Sequence, residues 1–135
     1  MVRVKTSAAV ARKALDGLIR IAKGMPEAKW KVKPTYAQFL AKNKTFGWFL
    51  NNHSRDGVVA IYCKVFPGEN NALIRQSPDR FFMPRYVGTH GWVGYRLDTP
   101  PVDWEEVAEL VKASYYLSAP PKLAAQLQYA EDEAL

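Results

Sequence analysis

A chain of 135 residues, 48% hydrophobic and 24% charged, has the size and composition of one globular domain, which excludes disordered, fibrous and collagen-like chains. No apolar run approaches the ~18 residues of a membrane span, and the single cysteine, Cys63, excludes an internal disulfide and any zinc-finger spacing. The net charge of +6 is uneven, with +7 on residues 1–33, +5 on residues 34–97 and −6 on residues 98–135, a distribution that suits either a polyanionic partner or a merely solvated basic surface.

The opening segment, MVRVKTSAAVARKAL, is broken by charges and has no apolar h-region. A signal peptide is therefore not expected, and a soluble, cytoplasmic domain is. From about Ser7 to Lys23, Ala11, Ala14, Leu15, Leu18, Ala22 and Met25 recur at helical spacing. Arg12, Lys13, Asp16, Arg20 and Lys23 share the opposite face, which either lies on phosphates or faces water. Gly24 and Pro26 end this helix. Three strands are expected next, over Thr35–Leu40, Thr45–Leu50 and Val58–Phe66. Alternation places Phe46, Trp48 and Leu50 on one face of the second, and Val59, Ile61, Cys63 and Val65 on one face of the third. The short gaps Ala41–Lys44 and Asn51–Gly57 favour antiparallel hairpins.

Pro67-Gly68-Glu69 opens a short helix through about Gln76, and Phe81–Met83 and Trp92–Leu97 are two further strands joined by the loop Pro84–Gly91. Asp103 then has the form of an N-cap, with Glu106 at the capping-box position of a helix ending near Leu117. A last short helix, Lys122–Tyr129, runs into the acidic end Glu131-Asp132-Glu133, which is expected to fray. The order α-β-β-β-α-β-β-α-α predicts a single α+β domain, an antiparallel sheet with helices packed on one face. Its core spans about residues 7–117, and residues 118–135 form a C-terminal helix and acidic tail.

The sequence offers little catalytic chemistry. Cys63 sits mid-strand beside Ile61 and Val65, where a thiol behaves as a small hydrophobe. The two histidines, His53 and His90, have no ligands at metal spacing. The glycines of Gly88–Gly94 fail the phosphate-loop context, since no Gly-Lys-Ser/Thr and no helix follows. Glu105, Glu106 and Glu109 suit a helix N-terminus. No catalytic residue, metal or cofactor is assigned, and no membrane partner is expected.

The basic loops are more informative. Lys42 and Lys44 occupy one hairpin tip, Arg55 a second and Arg85 a third loop, with Lys64 within the third strand. Such side chains can hold phosphates in a positioning role. Lys29, Lys31 and Lys33 alternate around Trp30, which either stacks on a base or caps the core. Two alternatives stand beside a nucleic-acid partner. One is a protein-interaction module that uses the segregated charge. The other is a small-ligand or enzymatic site in an aromatic pocket around Trp48, Tyr86, His90 and Trp92.

The string Arg85-Tyr86-Val87-Gly88-Thr89-His90-Gly91-Trp92-Val93, followed by Leu97-Asp98, Asp103-Trp104-Glu105-Glu106-Val107 and Ser114-Tyr115, resembles the signature of the MmcQ/YjbR family. Pro34-Thr35-Tyr36, Lys44-Thr45-Phe46-Gly47-Trp48 and Cys63-Lys64-Val65 fit the same family's first three strands. The resemblance runs from the first helix to Leu117 and leaves out Met1–Thr6 and the tail after Lys122. It implies a frataxin-like (CyaY-like) α+β sandwich with a double wing of β-hairpins and a DNA-binding role, an inference from fold. Because no base-reading helix motif is visible in the sequence, low sequence specificity is expected. Lys64 matches a lysine typical of the third strand, and Gly88, Gly91 and Trp92 match the signature turn. No catalytic residues carry over, and the loop Asn51–Gly57 is longer than the family pattern.

Overall fold

The protein is described by a computed structural model over residues 8–134, so the helix start expected at Ser7 lies outside the described residues. The amphipathic first segment forms α1 (Ala8–Lys23), which buries Ala11, Ala14, Leu18 and Ala22. Strands β1 (Ala28–Val32), β2 (Tyr36–Ala41), β3 (Lys44–Asn51) and β4 (Val59–Lys64) follow, and then α2 (Glu69–Gln76), β5 (Phe81–Phe82) and β6 (Trp92–Arg96). Helices α3 (Trp104–Ser118) and α4 (Pro121–Ala134) close the chain. The strands form one antiparallel sheet in the order β1-β2-β3-β4-β6-β5. The α+β class and the helix-on-sheet packing are as the sequence predicts.

Three details differ from the sequence expectation. The basic stretch around Trp30 is itself a strand, β1, paired with β2 from Ala28–Ala41 to Val32–Ala37. Trp30 packs on Phe39 and caps the core (centroids 6.4 Å apart), while Lys29 and Lys31 point away from it. The second difference is at Phe46, which does not share the face of Trp48 and Leu50. The β2–β3 register shifts between Phe39 and Leu40, and the β-bulge turns both Phe46 and Gly47 inward. Third, Glu131-Asp132-Glu133 continue α4 rather than fray. Leu123 and Leu127 anchor that helix in the core, Lys112 of α3 reaches Glu131 at 4.0 Å, and the Gln128 amide donates to Asp132.

A polar wedge sets the junction between β3, β4 and α3. The β3–β4 ladder ends at Trp48–Tyr62. Beyond it, the fully buried Ser114 Oγ donates to the Phe46 carbonyl (2.6 Å) and accepts from the Lys64 N–H (2.8 Å). One hydroxyl thus satisfies two backbone groups that the bulge leaves without a strand partner. Tyr115 beside it packs edge-on against Phe46 and donates to the Pro26 carbonyl at 2.7 Å. The expected Asp103 cap is present, accepting from the Glu105 and Glu106 N–H groups.

Candidate nucleic-acid interface

The helices and the core take one face of the sheet, and the other face is left half-exposed. On β4, Val59, Ile61 and Cys63 are buried inward, so alternation turns Tyr62 and Lys64 outward. Cross-strand pairing then sets a row across the outer face: Lys31, Gln38, Trp48, Tyr62, Gly94 and Phe82. A second row holds Tyr36, Leu50, Ala60 and Arg96, and Lys64 faces Trp92 across the β4–β6 ladder. Half-exposed antiparallel sheets usually alternate apolar-in with polar-out. Here the outward positions carry Tyr36, Trp48, Tyr62, Phe82 and Trp92, all half-buried.

The rings form two groups. Tyr36 packs against Trp48 (centroids 6.0 Å apart) and edge-on against His53 (5.4 Å), and His53 is held by Thr35 at 2.8 Å. Tyr62 meets Phe82 edge-on at 5.8 Å. Phe82 lies across Gly94, where any Cβ would collide with its ring, so glycine lets the aromatic lie flat on the sheet. Beside the second group is a groove of about 590 Å³ whose lining includes Leu50, Tyr62, Phe82, Arg85, Tyr86 and Arg96, together with His53, Asp56 and Asp79. Burial, reinforced by Asp56 and opposed by Arg85, pushes the Tyr62 phenol up.

The cations differ in freedom. Arg96 is clamped by Asp98 through two bonds of 2.9 Å. Arg80 is committed to the carbonyls of Arg96, Thr99 and Pro101 and stacks on Tyr95. Among the described residues the only ion pairs are Arg96–Asp98 and Lys112–Glu131, which leaves Lys29, Lys31, Lys64 and Arg85 without a carboxylate partner.

The residues expected from sequence to hold phosphates do not all converge. Lys64 lies on the outer face, and Arg85 lies beside Tyr62 in the groove. Lys42 and Lys44 flank the β2–β3 turn at one end of β3, where Lys42 holds a left-handed φ of 57°. Arg55 sits in the β3–β4 loop at the other end of that strand, also left-handed at 58°. The eight residues of β3 separate these ends by about 25 Å.

The expected aromatic pocket is likewise divided. Tyr86 and His90 line a second cavity of about 720 Å³ with Lys64, Phe66, Asn70 and Met83, whereas Trp48 and Trp92 line neither cavity and stand on the open sheet. Buried Asn70 ties down the loop between them, its amide donating to the carbonyls of Gly88 (3.0 Å) and Trp92 (3.1 Å). Sequence reasoning passed over Tyr62, Phe82 and Asn70. Alternation against Ile61 and Cys63 marks Tyr62 as outward, but nothing local to Asn70 or Phe82 announces contacts made across the loop.

A six-stranded antiparallel sheet with helices on one side and an aromatic, cation-rimmed face on the other defines a two-layer α+β sandwich. The chain belongs to the YjbR family, whose family model matches residues 23–117. Its structure is similar to that of Deinococcus radiodurans protein DR2400, described as a DUF419 domain, with a TM-score of 0.61 and 21% identity over 76% of each chain. At that identity the likeness shows the fold alone. None of the curated proteins matches. No helix among the described residues is long and apolar enough to cross a membrane.

Proposed function

We propose that the protein binds DNA, holding backbone phosphates with cations on and around the helix-free side of the sheet and reading little sequence. The observation that supports this most is the set of unpaired cations, Lys29, Lys31, Lys64 and Arg85, around a face built of aromatic rings. Of the acids of residues 98–135, Glu105, Glu106, Glu109, Glu131, Asp132 and Glu133 lie on α3 and α4, which pack on the core side. Asp98 is paired with Arg96, and Asp56 and Asp79 in the groove offset part of the open face's positive charge. Lys42 and Lys44 extend the footprint at one end of β3 and Arg55 at the other. Four phosphate contacts give a log–log salt slope of about −3.6 on duplex. Fluorescence anisotropy between about 25 and about 200 mM salt measures it. The double variant Lys64→Ala/Arg85→Ala is expected to weaken binding on every sequence and to flatten the slope by about two. An unchanged slope would remove these two residues from the interface, and no binding at the lowest salt would remove DNA.

A second reading has its own observation. Phe66, Met83 and Tyr86 are 62%, 43% and 89% exposed, and all three border the 720 Å³ cavity. Exposed apolar side chains around one concavity suit a small ligand or a partner's side chain. Thermal-shift screening reads this out, because a ligand at 100 times its Kd stabilises by about 2.7 kcal/mol.

A further inference from the structure

Resting on that DNA reading, we infer that the occupant of the open face is a single strand, with unstacked bases lying on Trp48 and on the Tyr62–Phe82 floor. Three features carry it. The rings are set into the sheet rather than projecting from it: Trp48, Tyr62 and Phe82 are half-buried, and Phe82 is pressed onto Gly94. Side chains so placed cannot enter a duplex groove, so a base must leave its stack to meet them.

The second feature is size. The groove over Tyr62 and Phe82 holds about 590 Å³, which is the volume of a small-molecule site and suits one nucleotide rather than a double helix. Its walls supply Arg85 for a phosphate, and the carboxylates of Asp56 and Asp79 for exocyclic amino groups of a base. The third is spacing. Trp48 and Tyr62 are direct cross-strand partners, about 5 Å apart along the hydrogen-bonding direction, so two neighbouring bases can each find a ring. Lys31 lies on the same row beyond Gln38, and Lys64 lies one row along the strand from Tyr62. The backbone of such a strand is therefore met by charge on both sides of the rings.

The test compares a labelled single strand with the blunt duplex of the same sequence, at one salt concentration, on the wild type and on Trp48→Leu and Tyr62→Leu. The single strand is expected to bind at least about tenfold more tightly. Each variant should weaken single-strand binding by about 5- to 150-fold, the range for losing one stacked base, while duplex binding stays unchanged. Quenching of tryptophan fluorescence by the single strand should fall in Trp48→Leu. Equal or tighter duplex binding overturns the inference while leaving the DNA reading intact, as does an equal loss on both substrates. Binding to neither overturns both. Should a variant fail to fold, the wild-type ratio of the two affinities decides alone.

Discussion

The two faces of the sheet are written by the same strands and obey different rules. Inward, β4 presents Val59, Ile61 and Cys63 and β6 presents Val93 and Tyr95, each at most 1% exposed and interlocked with α3. Outward, the same two strands present Tyr62, Lys64, Trp92 and Arg96, none of them fully buried, with the small residues Ala60 and Gly94 covered between them. Inward positions are fixed by packing density, where a lost methylene is felt. Outward positions are free of that demand, and polar residues would serve a solvated face equally well. Rings and unpaired cations at positions that the fold does not need are therefore the part of the molecule left available to a ligand.

This contrast can be broken from the inward side. Phe46→Ala removes a fully buried ring that packs on Phe39 and Tyr115, and should cost about 3–5 kcal/mol in urea unfolding. DNA affinity of the fraction still folded should hardly move. Ser114→Ala is expected to cost less, about 1–3 kcal/mol, because it strands the Phe46 carbonyl and the Lys64 N–H without a bond. Since Lys64 is itself an outward residue, this variant also probes whether the two faces are coupled. A loss of binding larger than the Lys64→Ala variant shows would mean that they are.

Much of this was legible in the sequence, and the rest was lost for physical reasons. Helical periodicity found α1 and the Asp103 cap found α3, since both signals are local. Alternation found the inward face of β4. It failed at Phe46 because a bulge inserts a residue without any composition signal, so a strict period of two carries Phe46 to the wrong side. Strand β1 was hidden because its outward positions are Lys29 and Lys31, which read as loop until the pairing with β2 is known. The candidate site was legible residue by residue, in Lys64, Arg85, Trp48 and Trp92, but not as a site. Whether Arg85 reaches Tyr62, or Lys42 lies an entire strand length from Arg55, depends on long-range topology that no window of sequence contains.

A smaller effect sharpens the comparison from the outward side. Lys42→Ala/Lys44→Ala changes two exposed side chains at the β2–β3 tip, where stability should stay within about 0.5 kcal/mol. If the footprint reaches that end, the salt slope falls by about one per lost contact. If the strand is confined to Trp48, Tyr62 and Arg85, the slope is unmoved, which would shrink the interface to the groove.

The last effect expected is a pH dependence owned by the inward face. Burial first, and then the 3.0 Å bond that its hydroxyl donates to Glu106, push the Tyr95 phenol up to about 12. In the unfolded chain a tyrosine titrates near 10. The folded state therefore holds its proton over a window in which the unfolded state has released it. The stabilisation is complete below pH ~10 and is lost as pH rises through that window towards about 12, because the state binding more protons is disfavoured as protons are withdrawn. Tyr116, pushed up to about 12 by burial and by Glu131, adds to the same fall. Urea midpoints measured from pH ~9 to ~12 should decline, and Tyr95→Phe should shallow the decline without abolishing it. An undiminished slope in that variant would mean that the Tyr95 hydroxyl titrates alike in both states, and that the inward face is less closed to water than its packing requires.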